Sequence, residues 1–97
     1  MTALRLGALA KNDLAQAGAW YAEQAPGLEL RFATAVEAML GQLEAFPESH
    51  PVVYRDVRRA HLRTFPYAVL YHRRGDVWFV LGVVHQARDP RVWQRRR

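Results

Sequence analysis

The sequence has no cysteine, which removes disulfides, thiolate zinc sites and cysteine nucleophiles from consideration. Lysine is nearly missing too: Lys11 stands alone against thirteen arginines. The longest apolar stretch, Val77–Val84, falls far short of the ~20 residues a membrane-spanning helix needs. The opening Met1-Thr2-Ala3-Leu4-Arg5-Leu6 contains no apolar core of signal-peptide length. The expectation is a soluble, cytoplasmic protein with no membrane partner. Glycine-rich phosphate loops are absent, and the four histidines (His50, His61, His72, His85) include no pair at the i, i+4 ligand spacing. No cofactor and no metal are expected.

What is present suits one small globular unit. With 97 residues, 51% of them apolar and 24% charged, the chain reads as a single domain over 1–97 with a basic tail from about 91. A chain of this size buries roughly 60–65% of its unfolded surface, enough for one core. Charge is segregated. Residues 1–54 carry three basic groups against six acids, whereas residues 55–97 carry eleven arginines against three acids. A GC-rich coding bias explains arginine in place of lysine but not its confinement to one half. Segregation of this kind predicts a strong positive field over one surface, and the arginine fork suits phosphate or carboxylate.

Periodicity divides the chain at the same place. Ala10, Leu14, Ala17 and Tyr21 form a helical stripe within about 8–24, and Ala25-Pro26-Gly27 ends it. Leu28, Phe32, Val36, Met39, Leu40, Leu43 and Phe46 form a second stripe, closed by Phe46-Pro47. So short a connection makes the two helices an antiparallel hairpin. Residues 47–56 read as a loop. Beyond it the period becomes two: 57–63, 67–73 and 77–85 are predicted strands, with Gly75 at a tight reversal and Gly82 leaving room for a helix to approach. A short strand at 3–6 is added at an edge. The fold class is therefore α+β, β-α-α-β-β-β: a small twisted antiparallel sheet with a helical hairpin packed on one face. The other face is expected to be open and rich in arginine, tyrosine and histidine.

Arg58-Arg59-Ala60-His61-Leu62-Arg63-Thr64-Phe65-Pro66-Tyr67 and His85-Gln86-Ala87-Arg88-Asp89-Pro90-Arg91-Val92-Trp93, together with Ala10-Lys11-Asn12-Asp13-Leu14 and Phe46-Pro47, resemble the RelE/ParE superfamily of type II toxin–antitoxin toxins, closer to its ParE-like branch. The likeness runs over essentially the whole chain. It implies a toxin that inhibits DNA gyrase, with a RelE-like endoribonuclease acting on mRNA at the ribosome as the alternative. It further implies a cognate antitoxin with an acidic segment, disordered when free, that folds along the hairpin and sheet edge. Leu14, Tyr21, Phe32 and Val36 are its expected contacts. A homodimer and a toxin–antitoxin hetero-oligomer are both compatible with the chain.

Cleavage of RNA by its own 2′-hydroxyl needs a base, cations around the phosphorane and an acid for the leaving oxygen. Arginine suits only the second role, and histidine the other two. For a nuclease the candidates are His85, Arg63 and Arg88; the bland reading of His85 is a hydrogen bond to the Arg88-Asp89-Pro90 turn. For target binding they are Arg59, His61, Arg63, Tyr71, Arg73, Arg88, Arg91 and Trp93. Each has a plainer alternative. Tyr67 and Tyr71 share a face with Val69, which favours packing; Asp89 is placed to pair with a nearby arginine or cap a turn; Trp93 suits a lid over a sheet edge. Arg95-Arg96-Arg97 reads most simply as a solvated tail that acidic partners would attract.

Overall fold

The structure, a computed structural model, describes residues 3–97. β1 (Ala3–Leu6) leads through Gly7 into α1 (Ala8–Gln24), and α2 (Leu28–Ala45) follows after three residues. Then come β2 (Val52–Tyr54), β3 (Val57–His61), β4 (Tyr67–Arg74), β5 (Val77–His85) and a short terminal helix, α3 (Pro90–Gln94). The helical hairpin and the β3-β4-β5 meander lie where the hydrophobic periods put them. Gly75 takes φ 59° at the β4–β5 reversal, a conformation that side-chain-bearing residues adopt only with strain.

The sheet is five-stranded and mixed, in the order β1-β5-β4-β3-β2, rather than wholly antiparallel. β1 occupies an edge as expected, but runs parallel to β5, pairing Ala3–Leu6 with Val77–Val80. No hairpin joins these two strands. Gly7 must send α1 back across the sheet immediately, and its N–H closes on Val80 C=O at 3.0 Å. The supposed loop 47–56 contains β2, a three-residue edge strand with a register irregularity against β3. Three residues are too few to show a period. Phe46 is not part of the buried stripe: it caps α2 and is 67% exposed.

Two cores flank the sheet. On the hairpin side, Ala10, Ala17, Tyr21, Phe32, Val36, Met39 and Leu43 pack onto Ala60, Leu62, Val69, Tyr71, Trp78, Val80 and Val83. Tyr21, Phe32, Phe65 and Tyr67 form a knot of edge-on and tilted rings, with centroids 5.0–6.0 Å apart. The opposite face is not an open bed of arginines. Val57, Ala68, Leu70, Leu81 and Val84 there are covered by Trp93 of α3, which is 4% exposed and meets Tyr54 edge-on. The basic stretch from about 91 begins within this helix: 90–94 is helical because Asp89 caps it, accepting from Arg91 N–H at 3.0 Å, and Pro90 fits its first turn.

Candidate functional site

A basic pocket opens where β5 ends. In the register, Arg59 lies beside Leu70, and His61 beside Ala68, which in turn lies beside Val84; Arg59 and His61 thus share the α3 face of the sheet. The turn after His85 brings Gln86 and Arg88 to the same end, and Pro90 and Trp93 close the pocket, whose volume is about 70 Å³. Gln86 Nε2 lies 3.1 Å from His61 Nδ1. His85 is held by its own turn: Ala87 N–H donates to its Nδ1 at 3.0 Å, and its ring stands edge-on to Tyr67. Nε2 is therefore the nitrogen left for a ligand. Two guanidinium and two imidazole groups line this one small pocket, and the fixed charge of the guanidiniums with the ring nitrogens suits the chemistry of an anion.

The remaining nominated residues are dispersed. Arg63 lines a different cavity, with Met39 and Gln42 of α2. Arg73 lies at the opposite end of β4 and donates to Gly75 C=O. Arg91 pairs with Asp89 at 2.8 Å. Tyr71 and Trp93 present no surface to a target: Tyr71 is fully buried in the hairpin-side core, its hydroxyl donating to Pro47 C=O at 2.7 Å, and Trp93 is the plug of the second core. Of the four nominated antitoxin contacts, Tyr21, Phe32 and Val36 are buried core residues, and only Leu14 is partly exposed. Phe32 and Val36 still show an edge, with Leu14, in a groove of about 270 Å³ between the helices and β1.

The tail that was expected to be solvated is instead tied down by its last two residues. Arg96 reaches over the edge of β5 to Asp13 of α1, with Nη1–Oδ2 2.6 Å and Nη2–Oδ1 3.1 Å; the two side chains are 12% and 6% exposed. Arg96 Nη1 also donates to Leu81 C=O, and Asp13 Oδ2 accepts from Val83 N–H. Gly82 lies between those two backbone groups, and a Cβ there would stand 2.5 Å from Arg96 Nη1. The space at Gly82 therefore admits a helix's side chain, as its sequence position suggested, together with a guanidinium that it did not suggest. Arg97 grips Asp56 through two hydrogen bonds, 2.6 and 3.0 Å, and these hold the Asp56 carboxyl down to about 2 against the opposing effect of burial.

Behind Asp56 lies His72, 2% exposed. Arg74 Nε donates to its Nε2 at 3.2 Å, which leaves the proton on Nδ1, facing Asp56 Oδ2 at 3.5 Å. Burial lowers its pKa, and the nearby Asp56 only partly offsets this. The folded state thus holds His72 neutral where the unfolded chain would protonate it. Stability from this group is present above the ordinary histidine range and falls as pH drops through it. Asp56 adds a second loss below its ordinary value of 3.8, completed near 2. Thermal melts between pH 7 and 5 are expected to show a falling Tm that is flatter in His72→Gln, while the limb below pH 4 persists. An unchanged slope in that variant would contradict the assignment.

Sequence reasoning passed over Trp20, Asp13 and Gln86. The signal for the first two was their spacing from Ala17 of the apolar stripe, Asp13 four residues before it and Trp20 three after, which puts both on the flank of the buried face. Gln86 carried no signal of its own.

A solved structure described as the chromosomal ParDE TA system from P. aeruginosa contains a chain of similar fold. The TM-score is 0.79 at 18% identity, over 88% of this chain and 96% of that one. The family model for the ParE toxin of the type II toxin–antitoxin system, parDE, matches residues 4–90, and the chain belongs to that family. Comparison with curated proteins gives no match. An antitoxin partner follows from the toxin–antitoxin context. Among the described residues, no helix is long and apolar enough to cross a membrane, and no cluster of metal-ligating side chains occurs.

Proposed function

We propose that this toxin inhibits DNA gyrase by binding, without cleaving nucleic acid, and is neutralised by its cognate antitoxin. Two observations support this reading: one of the three nuclease candidates stands apart from the others, and the sheet face is covered. His85 and Arg88 share one pocket, but Arg63 lines another. The sheet face across which RNA would lie is filled by Trp93. Binding needs only an exposed, arginine-rich surface of fixed shape, and the exposed Arg88, Arg91 and Arg95, with the half-buried Arg59, supply it around α3.

One observation favours the nuclease reading: His61 and His85, a pair suited to proton transfer, stand with Arg59 and Arg88 around the same pocket. Induction in bacteria with pulse labelling of DNA and protein synthesis, beside a gyrase supercoiling assay in vitro, separates the two. A gyrase inhibitor stops DNA synthesis first and blocks supercoiling, and His85→Ala changes its potency by less than about ten-fold. Immediate translation arrest with intact supercoiling, and a loss of about 10²–10⁴-fold in mRNA cleavage in His85→Ala, would establish the nuclease instead.

A further inference from the structure

Three cavities meet at His85. One is the basic pocket, the next a cavity of about 200 Å³ that shares Val84 and Arg88 with it, and the third a cavity of about 380 Å³ walled by Trp20, Tyr67 and Pro66. The basic pocket, at about 70 Å³, is far below the ~300 Å³ at which pockets for drug-sized ligands begin, so it suits one compact group. Among the described residues no carboxylate lines it. Gln86 Nε2 donates to His61 Nδ1, and Ala87 N–H donates to His85 Nδ1, so each neutral ring carries its proton on Nε2 as a free donor. Arg59 is half-buried, and neither it nor Arg88 has an ion-pair partner among the described residues. The nearby carboxylates are engaged elsewhere: Asp89 by Arg91, and Asp13, at the edge of the middle cavity, by Arg96. Beyond His85 the surface turns aromatic. Trp20 is 53% exposed, an unusual exposure for so large an apolar surface, and Tyr67 stands edge-on to His85.

We propose that the three cavities form one site for a nucleotide that ends in a phosphate: the phosphomonoester enters the basic pocket, and the base lies against Trp20. A half-buried guanidinium without a counter-charge is unfavourable, and a phosphate dianion supplies one to Arg59 and Arg88 together. Its three terminal oxygens also match donors that arrive from β3, from the end of β5 and from the turn after it, whereas a carboxylate has two oxygens in one plane. A phosphodiester carries one charge fewer and has two substituents to lead away. Pro90 and Trp93 close the pocket, and the exit shared with the aromatic cavities, past His85 and Arg88, suits one. Along that exit the nucleoside reaches Trp20 and Tyr67, where stacking tolerates any base, so the site selects a phosphorylated end and not a sequence. A free mononucleotide and the 5′ end of a nucleic-acid strand both present this chemistry. The site stands on its own geometry, whether or not gyrase is the toxin's target.

The test is calorimetry on the full chain, at one fixed salt concentration, with adenosine 5′-monophosphate, inorganic phosphate, adenosine and 3′,5′-cyclic AMP. The 5′-monophosphate is expected to bind saturably and at least about ten-fold more tightly than any of the other three. Arg88 is exposed, so Arg88→Gln spares the fold; it should weaken the monophosphate and inorganic phosphate alike, by about ten-fold. Trp20→Ala should weaken the monophosphate about five-fold or more while leaving inorganic phosphate within about two-fold. Arg31→Gln, which removes a charge on α2, should move neither by more than about two-fold. A short single strand of deoxyadenylate, with and without its 5′-phosphate, separates the sources. Binding tighter than the mononucleotide and lost on dephosphorylation assigns the site to strand ends, and weaker binding assigns it to free nucleotides. Absence of saturable binding by the monophosphate, equal affinity for the cyclic diester, or a strand that binds as well without its 5′-phosphate would overturn the phosphate half of the site. Unchanged affinity for the monophosphate in Trp20→Ala would overturn the base half.

Discussion

Arg96→Met is expected to destabilise the fold by about 3–5 kcal/mol, the range for stranding one member of a buried ion pair. Asp13 would keep its carboxylate at 6% exposure with only the Val83 N–H as a partner, and Leu81 C=O would lose its donor. Asp13→Leu should cost a similar amount, because it leaves a buried guanidinium and orphans the Val83 N–H. The double variant is the decisive arm. Removing both charges eliminates the uncompensated charge but not the two unpaired backbone groups, so it should be less damaging than the two single costs together, with a coupling of about 1–3 kcal/mol. Gly82→Ala tests the same clamp from beneath, since its methyl would displace Arg96 without altering any charge. Denaturant melts on the four proteins provide the measurement. Simple additivity of the single variants would mean that Asp13 and Arg96 do not act on each other. Total stabilities of small domains are about 5–15 kcal/mol, so each single variant also threatens expression.

That clamp marks the boundary of what the sequence could disclose. The helices and the meander were legible because their signals are local: apolar residues every three or four positions from Ala10 to Leu43, then every second position from Val57 on. Hydrophobic burial also made the hairpin side of the sheet predictable from Tyr67, Val69 and Ala60. The other side was misjudged because Ala68, Leu70 and Val84 need a cover, and the cover arrives from a five-residue helix too short to announce itself. Asp13 and Arg96 are 83 residues apart in sequence, and only the fold brings them together. For the candidate site, His85 and Arg88 were visible as polar residues just past an apolar strand, whereas the association of Arg59 and His61 with them depends on strand register. Arg63 shows the opposite failure: alternation put it on the same side as His61, but it lies past the end of β3 at His61, where alternation no longer governs direction.

Trp93→Ala should be as damaging as loss of the clamp, at about 3–5 kcal/mol, the usual cost of truncating a buried tryptophan to alanine. A five-residue helix has no stability of its own in water, and α3 is kept in place by three things: the Asp89 cap, the burial of Trp93, and the grips of Arg96 and Arg97. Taking away the indole removes the apolar anchor and leaves Val57, Leu70 and Leu81 under a void. The helix then has little reason to stay, and its departure would release Arg96 from Asp13 as well, so the effect spreads beyond the cavity itself. At roughly 4–8 °C per kcal/mol for a domain of this size, the melting temperature should fall far enough to be unmistakable. Trp93→Phe, which keeps most of the buried area, should recover more than half of the loss. The hairpin-side core does not touch Trp93, so helix content should survive mild denaturant while an apolar dye binds the uncovered sheet face. A Trp93→Ala protein that melts like the parent and binds no dye would mean that α3 does not close that face, and the basic pocket it walls would have to be redrawn.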